Sequence, residues 1–499
     1  MIISFCNKII ESGLIFLLVF TPLAFGTVHT GPITIMEFVV LLLFLVWMFK
    51  MLLGGDEESF RKNQEDNSRP SCFPFNLKDN ILFWPVLFFL VLIIFQLLPL
   101  PPKILKVISP ETYNIYAQYL PFEWPHSSEG FFSNWKALSV YPYATKTGFF
   151  KVLTYAIIFF LIIDNIKTKK QIDRFVKVIM FMGFSLALFG IIQKLTWNEG
   201  IYWFWKSKYG GAPFGPYINR NHFAGYMEMA AALTFGFLIS KLYGYRASSQ
   251  YRSFSKKIAE YEKVIAKTGL LIFISVIMIS ALFLSLSRGW IISFLISMVF
   301  FGLGLNFIKR KESEREGKKR VWIFLTILFL LIVSLDWLGI DQVTKRFDTF
   351  RDISIDSSYK ERLGLWRDTL KTSKDFPALG TGLDTFSYIY PKYKTVDVQL
   401  RFLYPENDYV QLLSETGVLG FTTALSFLGL FFVKVLKRWN ERHDLYVKGV
   451  VLGGLVGVVA LLNHSFTDFN LHIPANAVLF TVIIALTVNL VNAKREVKG

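Results

Sequence analysis

Polar and apolar positions in this chain do not alternate; they separate into long blocks. Apolar runs recur at 10–28, 33–53, 81–98, 148–164, 174–193, 222–242, 268–286, 289–307, 322–339, 417–436, 448–464 and 475–492. A helix rises 1.5 Å per residue, so about 20 residues cross the hydrocarbon layer of a bilayer. These runs predict an all-α polytopic membrane protein of about twelve transmembrane helices. Inside lipid every backbone amide needs a partner within its own segment, which a helix supplies, and the alternating pattern of a membrane barrel is absent. Only Ser287, Arg288 and Gly289 interrupt the seventh and eighth runs, so the chain must turn there. The first run lacks a small-x-small cleavage site and a second run follows at once, which reads as a retained helix. The whole of 1–499 reads as one integral membrane domain.

Composition agrees: 53% of the 499 residues are hydrophobic and 18% charged. The net charge of +17 raises the question of a nucleic-acid partner, but its placement answers it. The block KRKESEREGKKR at 309–320 holds seven Lys and Arg, against four in the much longer 99–147. Basic clusters of this kind mark cytoplasmic loops, and no basic-aromatic module or zinc pattern accompanies them. The charge therefore predicts both termini inside and no nucleic acid. Three sizeable segments then lie outside: loop 99–147, segment 194–221 and the large loop 340–416. Cys6 and Cys72 fall on the reducing side, so no disulfide is expected.

Loops beyond about 15 residues carry function or structure of their own. Within 340–416, Leu363, Trp366 and Leu370 recur at helical spacing and predict a helix over 357–376, ended by Pro377. FSYIYPKYK is aromatic-rich, which suits an interfacial belt or a sugar-stacking platform. Arg288 stands in the tight turn between two runs, where either snorkelling or a binding site accounts for it. Arg362 lies one turn before Trp366; a solvated helix face with ion pairs is its alternative. Arg220 precedes a run and suits anchoring.

Glu406, Asp408 and Glu415 crowd the approach to the tenth run. Pro-Glu-Asn-Asp is a helix-start pattern in which Asn407 or Asp408 caps, while a carboxylate there can also serve as general base. Glu406 and Asp408 at i, i+2 could face a divalent ion, but no further ligands cluster with them. His464 and His472 flank the last outer turn and suit hydrogen-bonded interface positions. Nucleotide-binding, zinc-protease and nucleophile-elbow motifs are missing.

Several stretches in order resemble a known family: NRNHFAGYMEM (219–229), LSLSRGW (284–290), ERLGLWRDTL with PALGTGLDTF (361–386) and ENDYVQLLSETGVLG (406–420). They are similar to the O-antigen ligase and polymerase-like superfamily of bacterial envelope glycosyltransferases. QLLPLPPKILKVISPET (96–112) and NHSFTDFNLHIPANA (463–477) resemble a long-loop branch. The resemblance implies a GT-C-like enzyme of the bacterial inner membrane with a ligase-like core over 222–436. Its active site would be periplasmic, under 340–416. The donor would be a glycan on undecaprenyl diphosphate, and the acceptor a lipid A–core sugar or a growing glycan. No cofactor and no metal are implied.

By motif, Arg288 and Arg362 would hold the diphosphate. Relatives carry His-Asn where this chain has Glu406-Asn407, so Glu406 becomes the expected base, with Asp408 or His464 as alternatives. Arg220, Arg401, Asp408, Trp366 and His464 are the expected substrate-binding residues. A lipid-linked oligosaccharide flippase and a protein O-oligosaccharyltransferase are the competing readings.

Overall fold

The computed structural model describes residues 1–65, 80–120, 135–196, 200–206, 212–246, 254–287, 289–308, 357–397 and 401–493. Arg288, the basic block 309–320, the run 322–339 and Cys72 lie outside these residues. Among the described residues eight helices are long and apolar enough to cross a membrane. They are α1 (Ile2–Leu23), α2 (Thr30–Glu65, apolar to Leu53), α6 (Pro142–Asn165), α7 (Lys169–Leu195) and α8 (Arg220–Arg246). The set continues with α13 (Asp408–Glu441), α14 (Leu445–His464) and α15 (Pro474–Asn492). Shorter apolar stretches lie in α3 (Phe83–Leu97), α9 (Phe254–Leu284) and α10 (Gly289–Ile308). The protein is an all-α polytopic membrane protein, as its hydropathy predicts. Eleven of the twelve predicted runs fall on these helices.

Four further α-helices are α4 (Pro102–Ile108), α5 (Pro110–Tyr119), α11 (Ser357–Asp375) and α12 (Phe386–Tyr393). The first two pack beside a two-residue antiparallel pair, Pro99–Leu100 with Lys136–Ala137. α11 stops one residue before Phe376 and two before Pro377, as its pattern predicts.

The centre of the bundle is α8 against α14 and α15, whose residues are mostly buried. α8 and α14 approach closely because glycines line the seam. A Cβ on Gly236 would lie 2.4 Å from Gly449 O, and one on Gly453 would lie 2.7 Å from Ala232 O. Small residues let membrane helices pack backbone to backbone, where dispersion and hydrogen bonding replace the hydrophobic drive.

The two ends of the bundle differ. At one, basic side chains hold helix ends together: Arg442 bonds the Val491 and Ala493 carbonyls, Lys169 pairs with Asp444, and Arg174 with Glu11. Helices α11 and α12 lie at the other end, the loop face.

There α13 is broken. Gly417 sits at φ 63°, ψ −171°, and the segment 377–382 docks into the break. Val418 N–H donates to Pro377 O (2.8 Å), Leu419 N–H to Ala378 O (3.2 Å) and Gly382 N–H to Glu415 O (2.9 Å). A neighbouring backbone thus satisfies the groups that the interruption exposes. The sequence pattern starts this span at 417; the structure carries the helix back to Asp408 and uses the glycine as a joint.

Candidate functional site

The crowded carboxylates before the tenth span have separate partners. Asn407 is the helix cap: its Oδ1 accepts from Tyr409 N–H (3.0 Å) and Val410 N–H (3.1 Å), the Asx geometry that meets orphan amides. Asp408 accepts from Leu471 N–H (3.1 Å) and meets His472 Nδ1 at 2.8 Å, tying α13 to the turn before α15. Glu415 accepts from Asp384 N–H (2.8 Å), Phe386 N–H (3.1 Å) and Gln411 Nε2 (2.9 Å), which anchors the start of α12.

Asp384, Glu415 and His472 place one ligand atom each within 4.8 Å of one another. Among the described residues, this is the cluster that could hold a metal. Lys151 pairs with Asp384, Asp408 holds His472, and three donors meet Glu415, so protein groups already bind this trio together. Glu406 and Asp408 do not share a site for an ion; they turn to different partners.

Glu406 differs from its neighbours. Its φ is +56°, a region that residues with a Cβ rarely occupy, and such strain persists where the surroundings over-determine it. Its Oε2 lies 3.0 Å from Arg362 Nη2, while Arg362 Nη1 donates to Thr467 O at 2.8 Å. The guanidinium therefore bridges the Glu406 loop and the 465–470 turn. Trp366, one turn along α11, donates Nε1–H to Pro405 O (2.9 Å) and fixes the same loop from the other side. Both members of the Arg362–Glu406 pair remain about a quarter exposed (28% and 26%), so the pair faces an opening.

Two histidine–carboxylate pairs lie beneath it. His222 Nε2 stands 3.2 Å from Asp468 Oδ1, and Phe469 N–H donates to the same oxygen (2.7 Å). His464 Nδ1 stands 3.0 Å from Glu228 Oε1, whose other oxygen accepts from Ser293 Oγ (2.7 Å). All four side chains are buried. Gly289 belongs to this layer: a Cβ there would meet Thr467 Oγ1 at 2.5 Å and the His464 ring at 3.0 Å.

Electrostatics follow from this packing. Burial, with Asp468 nearby, pushes the Glu406 carboxyl up to about 7, and the Arg362 charge opposes that rise. Burial also works to raise Asp468, but the His222, His464 and Arg362 charges win and hold it well below the usual carboxylate range. Burial works to lower His472, yet the Asp408 hydrogen bond and charge raise it, with Asp384 and Glu415 assisting. A carboxylate poised near neutrality beside a fixed guanidinium can accept a proton, and the guanidinium can meet an anion.

The expected residues divide accordingly. Arg362, Trp366 and Glu406 come together at the opening, and His464 lies in the buried layer below. Asp408 serves the helix end and His472. Arg220 opens α8, its N–H bonded to Ala212 O (2.8 Å). Arg401 lies instead over the Tyr388 ring, 5.5 Å from its centroid. Asp468, His222 and Glu228 were missed by sequence reasoning. A signal existed for Glu228, a carboxylate within an apolar run, which is a site hypothesis by default. The other two are short motif positions whose pairing across 246 residues has no local signature.

The fold and this site define a multi-pass membrane protein with a polar, arginine–carboxylate centre at one end of its bundle. Residues 273–425 match the family model described as O-antigen ligase, which supports membership of the O-antigen ligase superfamily. Arg362, Trp366, Glu406 and Asp408 lie within the matched residues; Arg220 and His464 lie outside them. No curated protein matches the chain. A domain of this family supports a glycosyltransferase of ligase or polymerase type in polysaccharide biosynthesis.

Proposed function

We propose that this protein transfers a glycan from undecaprenyl diphosphate to an acceptor hydroxyl at the periplasmic face of the bacterial inner membrane. The acceptor is a lipid A–core sugar or a growing glycan. The observation that carries the reading is the partly exposed Arg362–Glu406 pair at the loop face. In the reaction the Arg362 guanidinium meets diphosphate oxygens. Arg288, outside the described residues, is the expected second fork by its motif. Glu406 takes the acceptor proton as the acceptor oxygen attacks the anomeric carbon. The bond from that carbon to the diphosphate oxygen breaks, and the lipid diphosphate leaves with the electron pair. Stabilising that leaving charge in a partly screened site is usually the largest catalytic contribution. One displacement of this kind inverts the anomeric centre.

The basic end of the bundle supports the orientation, because the N-terminus of α1 and the C-terminus of α15 share it, which suits a cytoplasmic side. The test is transfer by purified protein in liposomes given an undecaprenyl-diphosphate glycan and an acceptor. Arg362→Ala and Glu406→Gln should each lose roughly 100-fold or more in rate while remaining folded. Undiminished transfer by Arg362→Ala would remove the diphosphate role, and by Glu406→Gln the base.

A further inference from the structure

A group of exposed tyrosines lies on the loop face beside the candidate site. Tyr141 and Tyr388 stack with ring centroids 4.1 Å apart and planes tilted by 32°. Tyr143 joins Tyr141 edge-on at 6.2 Å. The Arg401 guanidinium covers Tyr388. These rings remain 37%, 46% and 68% exposed at Tyr141, Tyr388 and Tyr143 respectively.

We propose that Tyr141, Tyr143, Tyr388 and Arg401 form a carbohydrate-binding platform that holds a sugar chain leading to Glu406. Its identification as the glycan of the transfer reaction rests on the function proposed above; the binding of sugar does not.

The platform is rigid. Val140 N–H donates to Thr381 O (2.9 Å), and Tyr116 OH donates to Ser139 O (2.7 Å), so the Tyr141 segment is pinned to the loop docked in the α13 break. Tyr388 stands on α12, whose other face buries Phe386, Ile389 and Tyr390. Gly382 makes the approach possible: at φ +108°, a Cβ there would lie 2.4 Å from Ser139 Oγ. Pre-set rings lose little entropy when a ligand stacks on them.

The chemistry favours a sugar. A pyranose presents a face of weakly positive C–H groups, which suits the negative face of an aromatic ring, and the tyrosine hydroxyl remains free for the wet edge. A stacked guanidinium offers a planar fork to hydroxyl or carboxylate oxygens. The surroundings are not those of hydrocarbon, because Lys392 pairs with Glu111 and Tyr393 OH donates to Asp375 (2.6 Å) on the same short helix. The platform is also near the candidate site along the chain. Five residues separate Arg401 from Glu406, so an extended chain bounds that distance at about 17 Å, the length of a few sugar rings.

The test uses the full chain in nanodiscs and, as probe, short oligosaccharides released by mild acid from the surface polysaccharide of the source cells. Saturation-transfer NMR should show binding by the unmodified protein, weakened about tenfold in Tyr388→Ala and Tyr141→Ala and kept in Tyr388→Phe. Glu406→Gln should bind the probe normally while failing to transfer glycan from the undecaprenyl-diphosphate donor in liposomes. Normal binding of the probe together with no transfer from the undecaprenyl-diphosphate donor in the unmodified protein would therefore sink the proposed function and leave the platform standing. Absent binding, or equal binding by both alanine variants, overturns the platform. A nitroxide at position 388, placed after Cys6→Ser and Cys72→Ser, should be reached by a water-soluble nickel chelate. Relaxation by oxygen instead would assign these rings to lipid and overturn it too.

Discussion

Glu406 shows how one side chain is tuned by what surrounds it. Its strained backbone aims the carboxylate at Arg362, and burial with the Asp468 charge moves its proton affinity to neutrality. A base must be unprotonated to act, so activity should rise with pH through an apparent pKa near 7. Asp468→Asn removes a like charge and stabilises ionised Glu406. The acid limb of the kcat profile should then shift to lower pH; an unmoved limb would separate the two carboxylates. Arg362→Lys keeps a positive charge but loses the fork that bridges Glu406 Oε2 and Thr467 O. Transfer should fall at least tenfold as a rise in donor KM, measured with varied lipid-linked donor. These are matters of single groups, and the sequence names the groups without their neighbours.

At the scale of elements the decisive feature is the break in α13. Its φ of +63° suits glycine, and a Cβ on Gly417 would lie 2.3 Å from the Ala378 carbonyl carbon. Gly417→Ala therefore combines left-handed strain with a backbone clash, and a cost of about 2–4 kcal/mol follows. Thermal unfolding should show the loss, and hydrogen exchange should quicken at residues 377–382, which pair with the break. The cap is a milder case: Asn407→Ala removes two accepted hydrogen bonds and should cost about 1 kcal/mol. Hydropathy shows where α13 enters the membrane. It is silent on the joint, because Gly417 reads as any glycine at the edge of an apolar run until the 377–382 loop is seen inside it.

Across the whole molecule, the α8–α14 seam sets the distance across which both buried histidine–carboxylate pairs form. His222 and Glu228 stand on α8, and His464 ends α14 with Asp468 just beyond. Gly453→Val would push the helices apart, since even a Cβ meets the α8 backbone at 2.7–3.1 Å. Such a variant should unfold at lower temperature and lose transfer together, although residue 453 lies in neither histidine pair. Transfer at full rate in a destabilised Gly453→Val would show that the seam does not position the site.

Sequence alone determined the class of protein and the positions of eleven of its apolar runs, because hydropathy and the helix rise are local properties that lipid enforces run by run. It also marked Arg362, Trp366 and Glu406 as candidates through their motifs; Arg362 pairs with Glu406, and Trp366 bonds the neighbouring Pro405 carbonyl. Tertiary structure decided which carboxylate faces the opening and which ones fasten helix ends. Glu406, Asp408 and Glu415 are the same kind of group within ten residues of chain. What distinguishes them is Arg362, 44 residues away, His472, 64 residues away, and the backbone amides of 384 and 386. Charge and proton affinity depend on those partners, and partners so far apart in the chain become neighbours only when it folds.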